Sequence, residues 1–269
     1  MTQPTRAESG SGLARPHFVV TGCARSATTY TARLLSAAGC SCTHEAVFGP
    51  HTTGFAGWRA AQGDSSWLAV PFLSQLPRET IVIHQVREPR AAVDALVRFG
   101  IFASERTGVR RDAVALTRYV RSGGVRAVVD GFNPRRRRER GRRLNRDFVA
   151  FLLRHCPEAF LETNDVARAA RHWIDWNTRV ESEAAAAGLP YRRIRVEELD
   201  LDGLGALVDL LGGDADPATL DAALTSTSTT ANRRPGGRVL PVTRDTLGDE
   251  LAELLDATAR SYGYTLTAS

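Results

Sequence analysis

Lysine is missing from this chain: all 35 of its basic residues are arginine. So complete a replacement points to a composition bias, and an arginine at any one position is therefore not a sign of special selection there. The absence also excludes a phosphate-binding loop completed by lysine. In the stretch His17–Ala38, the second glycine and the lysine of a Walker A loop would fall on Ala27 and Thr28. Cysteine is scarce as well. Cys23, Cys40, Cys42 and Cys156 lack the paired CxxC spacing of a zinc site, and four are too few for a disulfide scaffold in 269 residues. Reduced thiols in a cytoplasmic protein are the expectation. No segment approaches the ~20 apolar residues of a membrane span, and no apolar run of signal-peptide length opens the chain. The formal charge of +5 is mild for this length and does not by itself single out a nucleic-acid partner.

What is present begins with that same stretch, HFVVTGCARSATTYTARLLSAA, which reads as strand, tight turn and helix. Val19 and Val20 end a β-branched run, Gly22 permits the turn, and Ser26–Thr29 bring hydroxyls and backbone amides to a helix start. A helix start of this kind attracts anions through its unpaired amides and the positive end of its dipole. Arg25 adds full charge, and Ser26, Thr28 and Thr29 add donors; plain helix capping is the simpler use of the same hydroxyls. Thr80–Val86, TIVIHQV, is the clearest strand, nearly continuous in apolar character as a buried parallel strand should be. It runs into a basic turn at Arg87 and a helix from Pro89. Strand, polar turn and helix, twice over, predict a layered α/β fold whose ligands sit beyond the carboxyl ends of the strands, where both basic turns lie.

The remaining elements are read as follows. Met1–Arg15 is polar and aperiodic and is expected to be a disordered leader before a single domain over 16–269. Cys40–Phe48, which carries His44 and Glu45, is a strand or extended segment, and Trp58–Pro77 forms short helices and loops. An irregular, arginine-rich insert covers about 101–160. Its block Asn133–Arg146 reads as a solvated face, with nucleic acid or an acidic acceptor as the functional alternatives. No aromatics interleave these arginines as a stacking platform for single strands requires, which argues against nucleic acid. Asp165–Ala187 is a long helix with Trp173, Trp176 and Val180 on one face, ended by Gly188. Tyr191–Val196 is a strand, Leu204–Leu211 a helix, Thr225–Thr243 a long polar stretch and Asp245–Tyr262 an amphipathic closing helix.

Several of these segments together resemble sulfotransferases that use 3′-phosphoadenosine-5′-phosphosulfate (PAPS). Arg25–Ser26–Ala27–Thr28–Thr29–Tyr30 is similar to the family's 5′-phosphosulfate loop, with Arg for the commoner Lys and Ala27 in place of Gly. Arg87 and Pro89 match the 3′-phosphate motif, whose Ser position is occupied by Ala95. Ile194–Leu199 resembles a structural strand-to-helix segment of the family, and the helix with Trp173 and Asn177 resembles the one before it. Arg233, Arg234, Gly236 and Gly237 are similar to the late loop that closes over the 3′-phosphate, and SYGYTL to a common family ending.

The resemblance implies a three-layer, P-loop-like α/β fold with a central, mainly parallel sheet. It implies PAPS as co-substrate, 3′-phosphoadenosine-5′-phosphate (PAP) as product, no metal, and a small-molecule or carbohydrate acceptor. Arg25, Ser26, Ala27, Thr28, Thr29, Arg87, Arg233, Arg234, Gly236 and Gly237 would hold the nucleotide. Arg25 would also stabilise charge on the leaving phosphate, where removing a comparable donor costs roughly 10²–10³ in rate. An acceptor hydroxyl needs a base. Glu45 is the choice by resemblance and His44 the alternative; in an extended segment only one of the two faces the cleft. His84, inside a strand, reads as a satisfied core histidine, and Glu197 or Glu198 as a helix cap. The other functional readings are a nucleotide-dependent kinase on a similar fold and a non-catalytic nucleotide- or nucleic-acid-binding protein.

Overall fold

The computed structural model describes residues 15–58, 61–102, 147–227 and 241–266. Most of the irregular insert, with the arginine block Asn133–Arg146, and the loop holding Arg233, Arg234, Gly236 and Gly237 lie outside the described residues, as does nearly all of the expected leader.

Five strands form one sheet in the order β2-β3-β1-β4-β5, and every neighbouring pair is parallel. They are β1 (Phe18–Thr21), β2 (Cys42–His44), β3 (Gly63–Ser65), β4 (Ile81–Val86) and β5 (Tyr191–Arg195). β1 and β4 are apolar on both sides because helices cover both faces of the sheet. On one face Phe18, Val20, Ile81 and Ile83 pack against Leu34 and Leu35 of α1 (Thr28–Ala37), Leu204 and Leu207 of α5 (Leu201–Leu210), and Leu220 of α6 (Pro217–Ser226). On the other, Val19, Val82 and Val86 pack with Val93 and Leu96 of α2 (Pro89–Phe99), the 3-10 helix Trp67–Gln75, and α3 (147–155). Trp173 and Trp176 of α4 (Asp165–Ala187) and Leu255 of α8 (Asp249–Ser261) complete that core. The expected three-layer α/β fold with a parallel sheet is therefore present. No helix among the described residues is long and apolar enough to cross a membrane.

Three readings need correction. β3 lies in the segment read as short helices and loops, and it inserts between β2 and β1. Its sequence, Gly-Asp-Ser, has no apolar periodicity to betray a strand, although all three residues are buried. Gly63 is required there, since a Cβ would fall 2.4 Å from the Phe18 ring. Second, the closing helix breaks at Gly248, whose φ of 79° ends α7 (Arg244–Leu247) before α8 begins. Third, α6 rises from a stretch for which no element is expected, started by Pro217 and by Asp216, whose carboxylate accepts the Thr219 amide at 2.9 Å.

The two expected basic turns end up side by side. α1 follows β1 onto one face and α2 follows β4 onto the other, so the sheet divides between two adjacent strands. A crevice opens at such a switch point beyond the strand ends, and in open α/β sheets that is where ligands bind.

Candidate active site

The β1–α1 turn is shaped by backbone contact rather than by side-chain capping. Gly22 passes so close to β4 that a Cβ would meet the Gln85 carbonyl oxygen at 2.1 Å, which fixes glycine at this position. Gln85 in turn donates from Nε2 to the Ser26 carbonyl. The residue at the N-cap of α1 is Ala27, in the left-handed conformation at φ 66°, with no side-chain cap. The hydroxyls of Thr28 and Thr29 instead meet the ring of His44. Ser26 Oγ is fully buried and has no hydrogen-bond partner among the described residues.

Left-handed backbone costs an alanine about 1 kcal/mol more than a glycine. Ala27→Gly is therefore expected to stabilise the fold by about 0.5–1 kcal/mol, a rise in Tm of roughly 1–4 °C for a chain of this size, measurable by calorimetry.

Arg25 also has positive φ, 71°, and its guanidinium stacks over Phe99 of α2 at 5.2 Å. Its carbonyl accepts a hydrogen bond from Arg87 Nη1 at 3.0 Å, so the second basic turn is tied directly to the first. The Arg87 carbonyl is held by Trp173 Nε1 at 3.2 Å. Glu88 caps α2 by accepting the amides of Arg90 and Ala91, and Glu197 Oε1 accepts the Glu88 amide at 2.9 Å. Glu197 Oε2 receives the Tyr264 hydroxyl at 2.7 Å, which anchors the chain's end against this turn. Glu197 therefore acts across elements rather than as a simple cap of the helix beside it.

At the end of β2, His44 Nε2 lies 3.0 Å from the Thr29 hydroxyl and 3.3 Å from that of Thr28. Glu45 follows the strand in left-handed backbone, φ 53°, which breaks the strand alternation. Strand alternation therefore does not separate the pair: Glu45 Oε1 and His44 Nε2 lie 3.9 Å apart.

Comparison with known proteins yields no matching family model, no matching curated protein and no matching solved structure. The site is accordingly read from its own geometry. That geometry brings together Arg25, Ser26, Ala27, Thr28, Thr29, His44, Glu45 and Arg87; Ala95 is half-buried in α2. No group of His, Cys, Asp and Glu able to hold a metal ion occurs among the described residues.

Behind the loop runs a buried polar chain that sequence reasoning only touched on. Asn177 Oδ1 accepts the Cys23 amide at 3.2 Å and lies 3.0 Å from His84 Nε2, while its Nδ2 donates to the Trp173 carbonyl at 2.8 Å. With that oxygen as acceptor, His84 carries its proton on Nε2, and Nδ1 lies 2.7 Å from the Tyr191 hydroxyl, which donates to Glu181 Oε1 at 3.3 Å. Burial lowers the His84 pKa to about 4, so the ring is neutral, the satisfied core histidine expected from the sequence. Burial also pushes up the thiols of Cys23 and Cys156, the latter to about 12, so neither is a thiolate at neutral pH.

His172 is the opposite case. It is enclosed by Trp67, Phe102 and Trp176, and neither ring nitrogen has a hydrogen-bond partner among the described residues. Burial lowers its pKa to about 3. Below the ordinary imidazole value of about 6.5, the unfolded chain binds protons that folded His84 and His172 do not. Their contribution is complete above pH 6.5 and is lost as the pH falls toward 4. Urea midpoints measured from pH 7.5 to 4.5 should decline across that window, and His172→Phe should flatten the decline.

Proposed function

We propose that this protein transfers a sulfuryl group from PAPS to a hydroxyl or amine of a small-molecule or carbohydrate acceptor. The observation carrying the reading is the meeting of the two basic turns at the switch point, joined by the Arg87–Arg25 hydrogen bond, with His44 and Glu45 beside the start of α1. The residues fit such a donor: a buried serine hydroxyl without a partner among the described residues stands in the loop, and the N-cap residue of the helix start above it makes no side-chain cap. When bound, PAPS supplies an activated sulfuryl group on a phosphate.

The roles of the chain's own groups follow from charge. Ser26, Thr28, Thr29 and the first amides of α1 would hold the 5′ side of the nucleotide, and Arg87 the 3′ side. Arg25 lies in the same turn, and a cation there stabilises charge that grows on the leaving phosphate oxygen more in the transition state than before it. Glu45 accepts the proton of the acceptor hydroxyl. His44 steadies the two threonine hydroxyls and lines the path between them and Glu45.

Thermal unfolding with added PAP tests the reading. At a hundred times its Kd, a ligand of the folded state adds about 2.7 kcal/mol, a rise of roughly 5–10 °C here. PAP should give that rise and ATP or ADP a smaller one. A larger response to ATP would favour the kinase alternative, and no response to millimolar PAP would refute the proposal.

A further inference from the structure

β3 is an unusual interior strand, short and polar, and its side chains explain why. Asp64 is fully buried, yet its carboxylate makes three hydrogen bonds, all to the segment around Glu45. Oδ1 accepts the Thr43 hydroxyl at 2.7 Å and the Ala46 amide at 3.1 Å, and Oδ2 accepts the Val47 amide at 3.3 Å. Thr43 immediately precedes His44, and Ala46 and Val47 are the two residues after Glu45, so one carboxylate brackets the pair. The next residue, Ser65, accepts the Glu45 amide on its carbonyl at 3.2 Å and donates its hydroxyl to the Thr28 carbonyl at 2.9 Å. Two consecutive buried residues of β3 therefore bind the end of β2 to the start of α1.

Glu45 would not adopt its conformation unaided. A left-handed, non-glycine residue is disfavoured by local sterics and persists where surrounding bonds over-determine it. The Asp64 carboxylate supplies those bonds at a fixed point of the sheet, where its oxygens accept from all three partners.

We infer that Asp64 is the positioning residue of Glu45: through the turn after β2 it sets the Glu45 carboxylate beside His44, whose own contacts with the hydroxyls of α1 do not depend on it. The inference rests on the sulfuryl-transfer reading only for its effect on turnover; its effect on the turn is independent of any reaction. Asp64→Asn keeps the size of the side chain but replaces one acceptor oxygen with a donor facing backbone amides. Thr43→Val removes one of the three bonds without changing shape, and carries the test if D64N does not fold.

Crystal structures of the variants, with PAP titrations and steady-state kinetics, decide the matter. The expected result is that Glu45 leaves the left-handed region and the His44–Glu45 separation grows beyond its present 3.9 Å. The kcat should fall ~10²-fold in D64N, the scale of a misplacement of about 1 Å, and less in T43V, while PAP affinity and acceptor KM stay within about threefold. An unchanged turn in folded D64N, or a loss of PAP affinity as large as the loss of kcat, would overturn the assignment. If the wild-type protein neither binds PAP nor turns over, the proposed function fails, and the crystal structures alone still decide the role of Asp64.

Discussion

Glu45→Gln is expected to lower sulfuryl transfer by ~10³-fold while leaving PAP affinity within about twofold of wild type. Glutamine preserves the volume of the side chain and can remain beside His44, but its amide cannot take a proton from an acceptor hydroxyl at neutral pH. The nucleotide would be held elsewhere, by the α1 start and the Arg25 and Arg87 turns, so binding and chemistry separate in this variant. Single-turnover assays over a panel of phenols and sugars, paired with PAP titration, measure both. An active E45Q enzyme would move the base to His44. His44→Ala has a different expected pattern, because its imidazole touches the Thr28 and Thr29 hydroxyls: PAP affinity and turnover should fall together.

The second large effect belongs to Asn177, which reacts with nothing. Asn177→Leu would leave the Cys23 amide and the His84 Nε2 proton buried without acceptors. An unsatisfied buried donor costs about 1–3 kcal/mol, so the pair should cost roughly 2–5 kcal/mol and lower Tm by roughly 5–15 °C. Because Cys23 begins the β1–α1 turn, the same change should weaken PAP binding even at temperatures where the variant remains folded. A variant with wild-type Tm and affinity would show that the polar chain behind the loop does not shape the site. Chemical denaturation at pH 7.5 measures the first quantity and titration the second.

The sequence carried the layers of the fold wherever local pattern and tertiary role agreed. The apolar run of β4, the valines of β1, and the tryptophan face of α4 ended by Gly188 all declare both their element and their burial. β3 gave no such signal because its burial serves polar contacts: Gly63 makes room for Phe18, while Asp64 and Ser65 bind two neighbouring segments. An acidic residue between glycine and serine is indistinguishable from a loop until the strands on either side are known.

The site was legible in its parts and less so in its arrangement. The chemistry and spacing of the Arg25 turn, Arg87, His44 and Glu45 mark them in the sequence, and the parallel sheet gathers them at the carboxyl ends of its strands. The closeness of His44 and Glu45 is not legible in the sequence, because strand alternation presumes φ below zero and Glu45 departs from it. Asn177 and Asp64 escaped as supports because their partners lie 154 residues away at Cys23 and across a strand boundary at Ala46 and Val47. No periodic pattern encodes contacts of that kind.

Calorimetric titration of PAP into the full chain tests the central claim most directly. The proposed site predicts saturable binding at one nucleotide per chain, weakened roughly 10–100-fold by Arg87→Ala, the loss expected for a charge-assisted bond to phosphate. Absence of binding at millimolar PAP, or binding indifferent to Arg87, would contradict it.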